Sequence, residues 1–299
     1  MRIKSYLRNV IDNRRVRPIY LKMIKPLYLR YKENWNKRHN LRAELLNNNI
    51  IDIAGFKMAL ETKSKTGVNH DLGFIELSKE NRLYEEGESN FIIKNLQRGM
   101  TFVDVGANNG YYSLLAGKIG ASKIYSIEPT PDTFKRLVKN IKLNKLQNKV
   151  ISLNVALSDQ KGTGYIHMNR YEDGQNSLLK GPNQKGRLKV TVNTLDNLFY
   201  HDAKKIDMIK IDVEGAECQV INGGIETILK NKNIIIIFEY SVDRKDNDKL
   251  FELLFQNGFH LYEIGETKIY RKEIKGENGI ISRHLCNIVA VRNPKKVRF

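Results

Sequence analysis

Between residues 101 and 256, short apolar runs alternate with stretches of helical periodicity, and this alternation leaves few possible architectures. Thr101–Val105, Lys123–Ile127, Lys149–Asn154, Ile206–Ile211 and Asn233–Glu239 read as strands. Helices near Tyr111–Ile119, Asp132–Leu143, Ala216–Leu229 and Asp246–Gln256 are interleaved with them, and strands near Phe259–Ile264 and Asn287–Val291 follow. Strands joined through helices run parallel, and a parallel sheet is covered on both faces. The run Ile234–Phe238, apolar throughout, suits a strand with no solvent face. The expectation is an α/β chain with a mostly parallel, Rossmann-like sheet and helices on both sides. Ligands of such sheets bind beyond the carboxyl ends of the strands, where the strand order reverses.

Two segments interrupt the pattern. Residues 156–195 are punctuated by Gly162, Gly164, Gly174, Gly181, Pro182 and Gly186, with short β-like pieces at Tyr165–Met168 and Leu188–Val192. Upstream, residues 49–98 read as a lead-in. It is strand-like from Ile50 to Leu77, with turns at Gly55, Thr66-Gly67 and Gly73, and then helical through Phe91, Ile92, Ile93 and Leu96 until Gly99. Residues 1–48 form a separate basic arm of helical spacing, interrupted by Pro18 and Pro26. Residues 1–42 hold thirteen Lys and Arg against Asp12 and Glu33, so +11 of the net +18 belongs to the arm and only +7 to the body.

Glycine spacing narrows the chemistry. Strand 101–105 carries Asp104 and turns through Gly106-Ala107-Asn108-Asn109-Gly110 into a helix. Gly106, Ala107, Asn108 and Gly110 are candidate ligand contacts, because a helix start offers free N–H groups to a carboxylate or phosphate. A dinucleotide site wants G-x-G-x-x-G, and the middle glycine is absent here. A smaller ligand with one carboxylate and one amine fits better, with Asp104 on the amine. S-adenosylmethionine has that head group. Glu128, 18 residues beyond Gly110 at the end of the second strand, is placed for two ribose hydroxyls. Ala156, Leu157 and Ser158 follow the third strand, where an adenine would lie.

The remaining strand ends are acidic. Asp212 and Glu214 leave the fourth main strand just before a helix, and Glu239 ends the fifth. A hydroxyl that attacks a sulfonium methyl benefits from a base and from rigid positioning, and Asp212 is the best base by position. Helix capping is the competing role for Glu214. No third ligand accompanies these carboxylates, so no metal is expected. Asn176 and Ser177 in the irregular insert are polar candidates for acceptor contacts.

Taken together, Val103–Gly110, Glu128-Pro129 with Pro131, Asn154–Asp159 with Gly162, Val192–Leu198 and Lys210–Glu217 resemble, in content and order, the FkbM family of S-adenosylmethionine-dependent methyltransferases. The resemblance covers roughly residues 85–265. It implies a seven-stranded class I methyltransferase sheet with an antiparallel last pair, and O-methylation of sugars or other hydroxylated metabolites. By matching position, it puts Asp104, Gly106, Asn108, Gly110 and Glu128 on the cofactor, with Asp212 and Glu214 at the centre. The arm lies outside it.

The expected enzyme is therefore an O-methyltransferase acting on a sugar, glycan or glycolipid-like hydroxyl. The net charge raises a nucleic-acid methyltransferase as the alternative, but the body's modest excess and the absence of a base-stacking motif weigh against it. A non-catalytic scaffold of the same fold is the third reading. Cys218 and Cys286 make no disulfide framework, no apolar run approaches the roughly 18 residues of a membrane span, and no apolar segment of signal type follows the basic N-terminus. The expected setting is cytoplasmic. Apolar and basic residues in the arm suit either peripheral contact with an anionic membrane or a structural helix.

Overall fold

The computed structural model describes residues 49–61, 65–169, 176–179, 184–200, 205–241, 247–265, 269–274 and 285–299, with Pro26, Arg30, Glu33, Lys37, Asn40 and Leu41. The chain divides into two compact units, Met1–Asn48 and Asn49–Phe299. In the first, those six residues are helical, and the rest of the expected basic arm lies outside the described residues.

The second unit opens with the hairpin β1 (Ile50–Ile53) and β2 (Phe56–Ala59), followed by helices α1 (Lys65–Lys79) and α2 (Glu86–Asn95). The strand-like expectation for Ile50–Leu77 is thus corrected from residue 65 onward. Asp71, Phe74 and Ile75 are buried at the three-four spacing of a helix face, a signal obscured in sequence by the supposed turns at Gly67 and Gly73.

The expected alternation then appears. It comprises β3 (Thr101–Val105), α3 (Tyr111–Ile119), β4 (Lys123–Ile127), α4 (Pro131–Leu143) and β5 (Val150–Leu153). The insert adds β6 (Ala156–Leu157), β7 (Gly162–Asn169) and β8 (Gln184–Asn193), a small separate sheet in the order β6-β8-β7. After it come α5 (Leu195–Phe199), β9 (Met208–Ile211), α6 (Glu217–Asn222), α7 (Ile225–Lys230), β10 (Ile235–Ser241), α8 (Asn247–Gln256), β11 (His260–Ile264), β12 (Ile269–Ile274) and β13 (Leu285–Val291). The expected single helix 216–229 is two helices. The chain bends at Gly223-Gly224, where a Cβ on Gly223 would lie 2.1 Å from the carbonyl oxygen of Ser158.

The main sheet has the order β12-β11-β13-β10-β9-β3-β4-β5. β10, β9, β3, β4 and β5 run parallel, and β13 is antiparallel to both β10 and β11. Seven strands match the expected class I arrangement. β12, antiparallel to β11 at the edge, makes an eighth. Val103, Val105, Ile209, Ile211, Ile236 and Phe238 are almost fully buried on one face, and Phe102, Met208 and Ile237 on the other, as strands covered on both faces require. The order reverses beside β3, with β4 on one side and β9 on the other, so the crevice opens where β3 and β9 end.

Candidate active site

The exit of β3 is built on one glycine. Gly106 has φ +79°, and a Cβ there would lie 1.8 Å from the carbonyl oxygen of Asp212. Both the left-handed backbone and the close approach of the β9 exit exclude a side chain. The N–H groups of Gly106 and Ala107 both donate to the Ile127 carbonyl at 2.9 Å, which ties this turn to the end of β4. Asn108 follows at φ +49°, a conformation Asn tolerates.

Glu128 joins three strand ends. Its Oε2 accepts from the Asn108 N–H at 3.0 Å and its Oε1 from the Thr130 N–H at 2.8 Å. The Asn154 side-chain amide, just past β5, donates to the Glu128 carbonyl at 2.8 Å and to that of Pro129 at 3.0 Å. Burial of the Glu128 carboxyl lifts its pKa from 4.5 to about 7, against the opposing hydrogen bonds from Thr130 and Asn108.

These turns border a cleft at the carboxyl ends of the strands. Gly106, Asn108, Glu128, Asp212 and Glu214 line it from the main sheet, and Ala156, Leu157, Asn176 and Ser177 from the insert. Val155, Ile166 and Leu178 make the insert wall apolar. Ser177 reaches across, its hydroxyl donating to the Val213 carbonyl at 3.3 Å while its backbone bridges to His167 of β7. Glu214, at φ +56°, lines the cleft. Glu217 instead holds this loop, its Oε1 accepting from the N–H groups of Val213 at 3.2 Å and Gly215 at 3.1 Å.

Five expected residues stand outside the cleft lining. Asp104 is wholly buried. Ala107 is buried, with its N–H committed to Ile127. Gly110 caps α3 and donates to the Ala107 carbonyl. The Ser158 N–H donates to the Asn193 carbonyl, and its hydroxyl donates to Asp159 at 3.2 Å. Glu239 is half-buried within β10, in register with Asn287 of β13.

Beneath the cleft lies a charged layer that pattern reading missed. Lys210, in the middle of the buried run of β9, pairs in register with Asp104 of β3. Its Nζ donates to Asp212 Oδ2 at 2.8 Å and sits 4.4 Å from the centre of the Tyr112 ring. Burial opposes the ammonium, but Asp212, Glu88, Asp104 and Glu85 outweigh it and raise its pKa. Asp104 Oδ2 accepts from Ser113 at 2.6 Å, whereas Asp104 Oδ1 and both Glu88 carboxylate oxygens are buried without a hydrogen-bond partner among the described residues. Burial raises the pKa of both acids, that of Glu88 strongly. Glu85 enters from the lead-in at φ +41° and accepts from the Tyr112 hydroxyl at 2.5 Å. The available signal was the lysine itself, since a charge inside a fully buried strand calls for a partner.

The methyltransferase FkbM domain matches residues 104–261. The methyltransferase sdnD of Sordaria araneosa is 30% identical over 164 residues, 44% of this chain and 62% of that protein. The hexuronic acid methyltransferase AglP of Haloferax volcanii is 27% identical over 147 residues, 49% of this chain and 59% of that protein. The tRNA (guanine(37)-N(1))-methyltransferase Trm5b of Methanocaldococcus jannaschii is 28% identical over 162 residues, 53% of this chain and 46% of that protein. The chain spans about three fifths of the length of the first two of these relatives.

Proposed function

The chain belongs to the FkbM methyltransferase family, and from that premise we propose that it is an S-adenosylmethionine-dependent O-methyltransferase acting on a hydroxyl of a sugar, glycan or glycolipid-like acceptor. The observation that carries the proposal is the cleft at the switch point, lined by Gly106, Glu128, Asp212, Ala156 and Leu157. The residues fit this cofactor. Glu128 accepts the Asn108 and Thr130 N–H groups and a hydrogen bond from the Thr130 side chain, three of about four acceptor positions, which leaves room for a ribose hydroxyl.

S-adenosylmethionine, when bound, supplies an electrophilic methyl on a sulfonium whose departure leaves a neutral thioether. Gly106 and Asn108 would hold the amino-acid end, beside the start of α3. Glu128 would orient the ribose, and Ala156 and Leu157 would flank the adenine. Asp212 would accept the hydrogen bond of the attacking hydroxyl and then its proton, while Glu214, Asn176 and Ser177 would border the acceptor. The similarity to AglP supports a sugar acceptor. The net charge and the similarity to Trm5b motivate RNA as the second reading.

The test is transfer of label from methyl-tritiated S-adenosylmethionine to a panel of neutral methyl glycosides, a uronic acid glycoside and an RNA transcript. Label on a glycoside is expected, and Asp212→Asn should lower that rate by about 10²–10⁴ with cofactor binding nearly unchanged. Label on RNA alone would sink the sugar reading.

A further inference from the structure

Lys210 presents a choice of partners. Its side chain is 5% exposed, and its ammonium lies among four carboxylates: Asp104 on β3, Glu88 on α2, Glu85 just before α2, and Asp212 on its own strand exit. Tyr84 and Tyr112 complete the layer, and Glu214 lies two residues beyond Asp212. If Lys210 served only to neutralise buried acid, it would donate to Asp104 or Glu88, the two most deeply buried of the four. Those two keep oxygens without a hydrogen-bond partner among the described residues. Lys210 donates instead to Asp212, whose side chain is 29% exposed and lines the cleft.

We infer that Lys210 is a positioning residue, which from inside the sheet holds one oxygen of Asp212 and thereby directs the other to the acceptor hydroxyl. The geometry supports this in three ways. Lys210 and Asp212 are two residues apart at the end of one strand, so they share a face. The Tyr112 ring confines the lysine chain from one side, and Glu85 holds the Tyr112 hydroxyl in turn. The Asp212 N–H donates to the Val105 carbonyl at 3.0 Å, so the backbone beneath the carboxylate is also fixed. A carboxylate tied at both backbone and side chain loses little freedom when it meets a hydroxyl, which is what in-line displacement requires.

The catalytic consequence rests on the methyltransferase reading, whereas the contact itself does not. A double-mutant cycle on the full chain tests the contact first. Lys210→Met, Asp212→Asn and the double variant are compared by denaturant unfolding. The unfolding equilibrium constants should be non-additive by at least tenfold, and additive effects would overturn the inference. If Lys210→Met alone fails to fold, the cycle is run in a Glu88→Gln background, which removes an opposing buried charge together with the lysine's.

Rates then separate positioning from bulk stability, using any neutral methyl glycoside that the unaltered chain labels. Lys210→Met should lower kcat by about 10²-fold while KM for S-adenosylmethionine moves less than threefold, and Lys210→Arg should recover at least a tenth of kcat. A fall confined to KM, or no rescue by a folded Lys210→Arg protein, would overturn the positioning role. If the unaltered chain labels no glycoside, the acceptor reading falls. The cycle then decides Lys210 alone.

Discussion

Glu128 does more than its place at a strand end announces. Its two oxygens close the glycine turn and the start of α4 before any ligand arrives. Removing it should therefore affect both binding and stability. At pH 8, above its raised pKa, Glu128→Ala should weaken S-adenosylmethionine binding by roughly ten- to a hundred-fold, since hydrogen bonds to a charged group are worth about 1.5–3 kcal/mol. Calorimetry reads this directly, and unchanged affinity in a folded variant would remove the ribose role. The pH dependence has a definite sign. With its pKa raised by burial from 4.5 to about 7, native Glu128 holds its proton more tightly than in the unfolded chain. Its contribution to stability is full below about pH 4.5 and is lost as pH rises through about 7. Glu128→Gln should accordingly lose less Tm between pH 5 and pH 8 than the unaltered chain. Equal losses in both proteins would contradict the buried-carboxyl account. Lys210 extends the same logic, since its burial is tolerated only where carboxylates surround it.

At the scale of elements, some motif residues turn out to be architectural. Thr194 caps α5, its hydroxyl oxygen accepting from the Asn197 N–H at 3.0 Å. Leu195 is wholly buried, and Asp196 accepts from the N–H groups of Glu226 at 3.2 Å and Thr227 at 2.7 Å. The segment Val192–Leu198 thus starts α5 and caps the first turn of α7, which supports the break between α6 and α7 where a single helix over 216–229 was expected. Asp196→Ala should cost about 1 kcal/mol, the usual loss for a helix cap, with no effect on cofactor binding. Denaturant midpoints and a binding titration check both halves. Asn140 has a similar role. It accepts from the Ala59 N–H at 2.7 Å and donates to the Asn109 carbonyl at 2.8 Å, joining the β1–β2 hairpin to the glycine turn through α4.

At the scale of the molecule, the basic arm raises the question of where the chain works. No described helix is long and apolar enough to cross a membrane. We propose that the arm, with +11 of the +18 charge, gives peripheral contact with an anionic membrane, where each Lys or Arg adds about 1 kcal/mol. A chain beginning at Ile50 should bind cofactor but lose low-salt sedimentation with phosphatidylserine vesicles. No sedimentation of the full chain would overturn the docking, and aggregation of the shorter chain would mark the arm as structural.

By itself the sequence determined the parallel sheet, because runs such as Ile235–Phe238 leave no solvent face, and it determined the glycine turn and the acids just past β4 and β9, Glu128 and Asp212. Those are local statements, carried by periodicity and by residues whose backbone demands are intrinsic. It did not determine α1, whose buried face is spaced through glycines, nor the edge strand β12, whose charged residues hide its pairing with β11. Nor could it say which carboxylates reach the cleft. Asp104 and Asp212 look alike along the chain, yet one lies under the sheet end and the other at its rim. Burial and partner choice depend on strands brought together from positions about a hundred residues apart, as in the register of Asp104 with Lys210. Only the tertiary structure brings Glu85 and Glu88 into that layer, and so only it separates the acid that lines the cleft from those that do not.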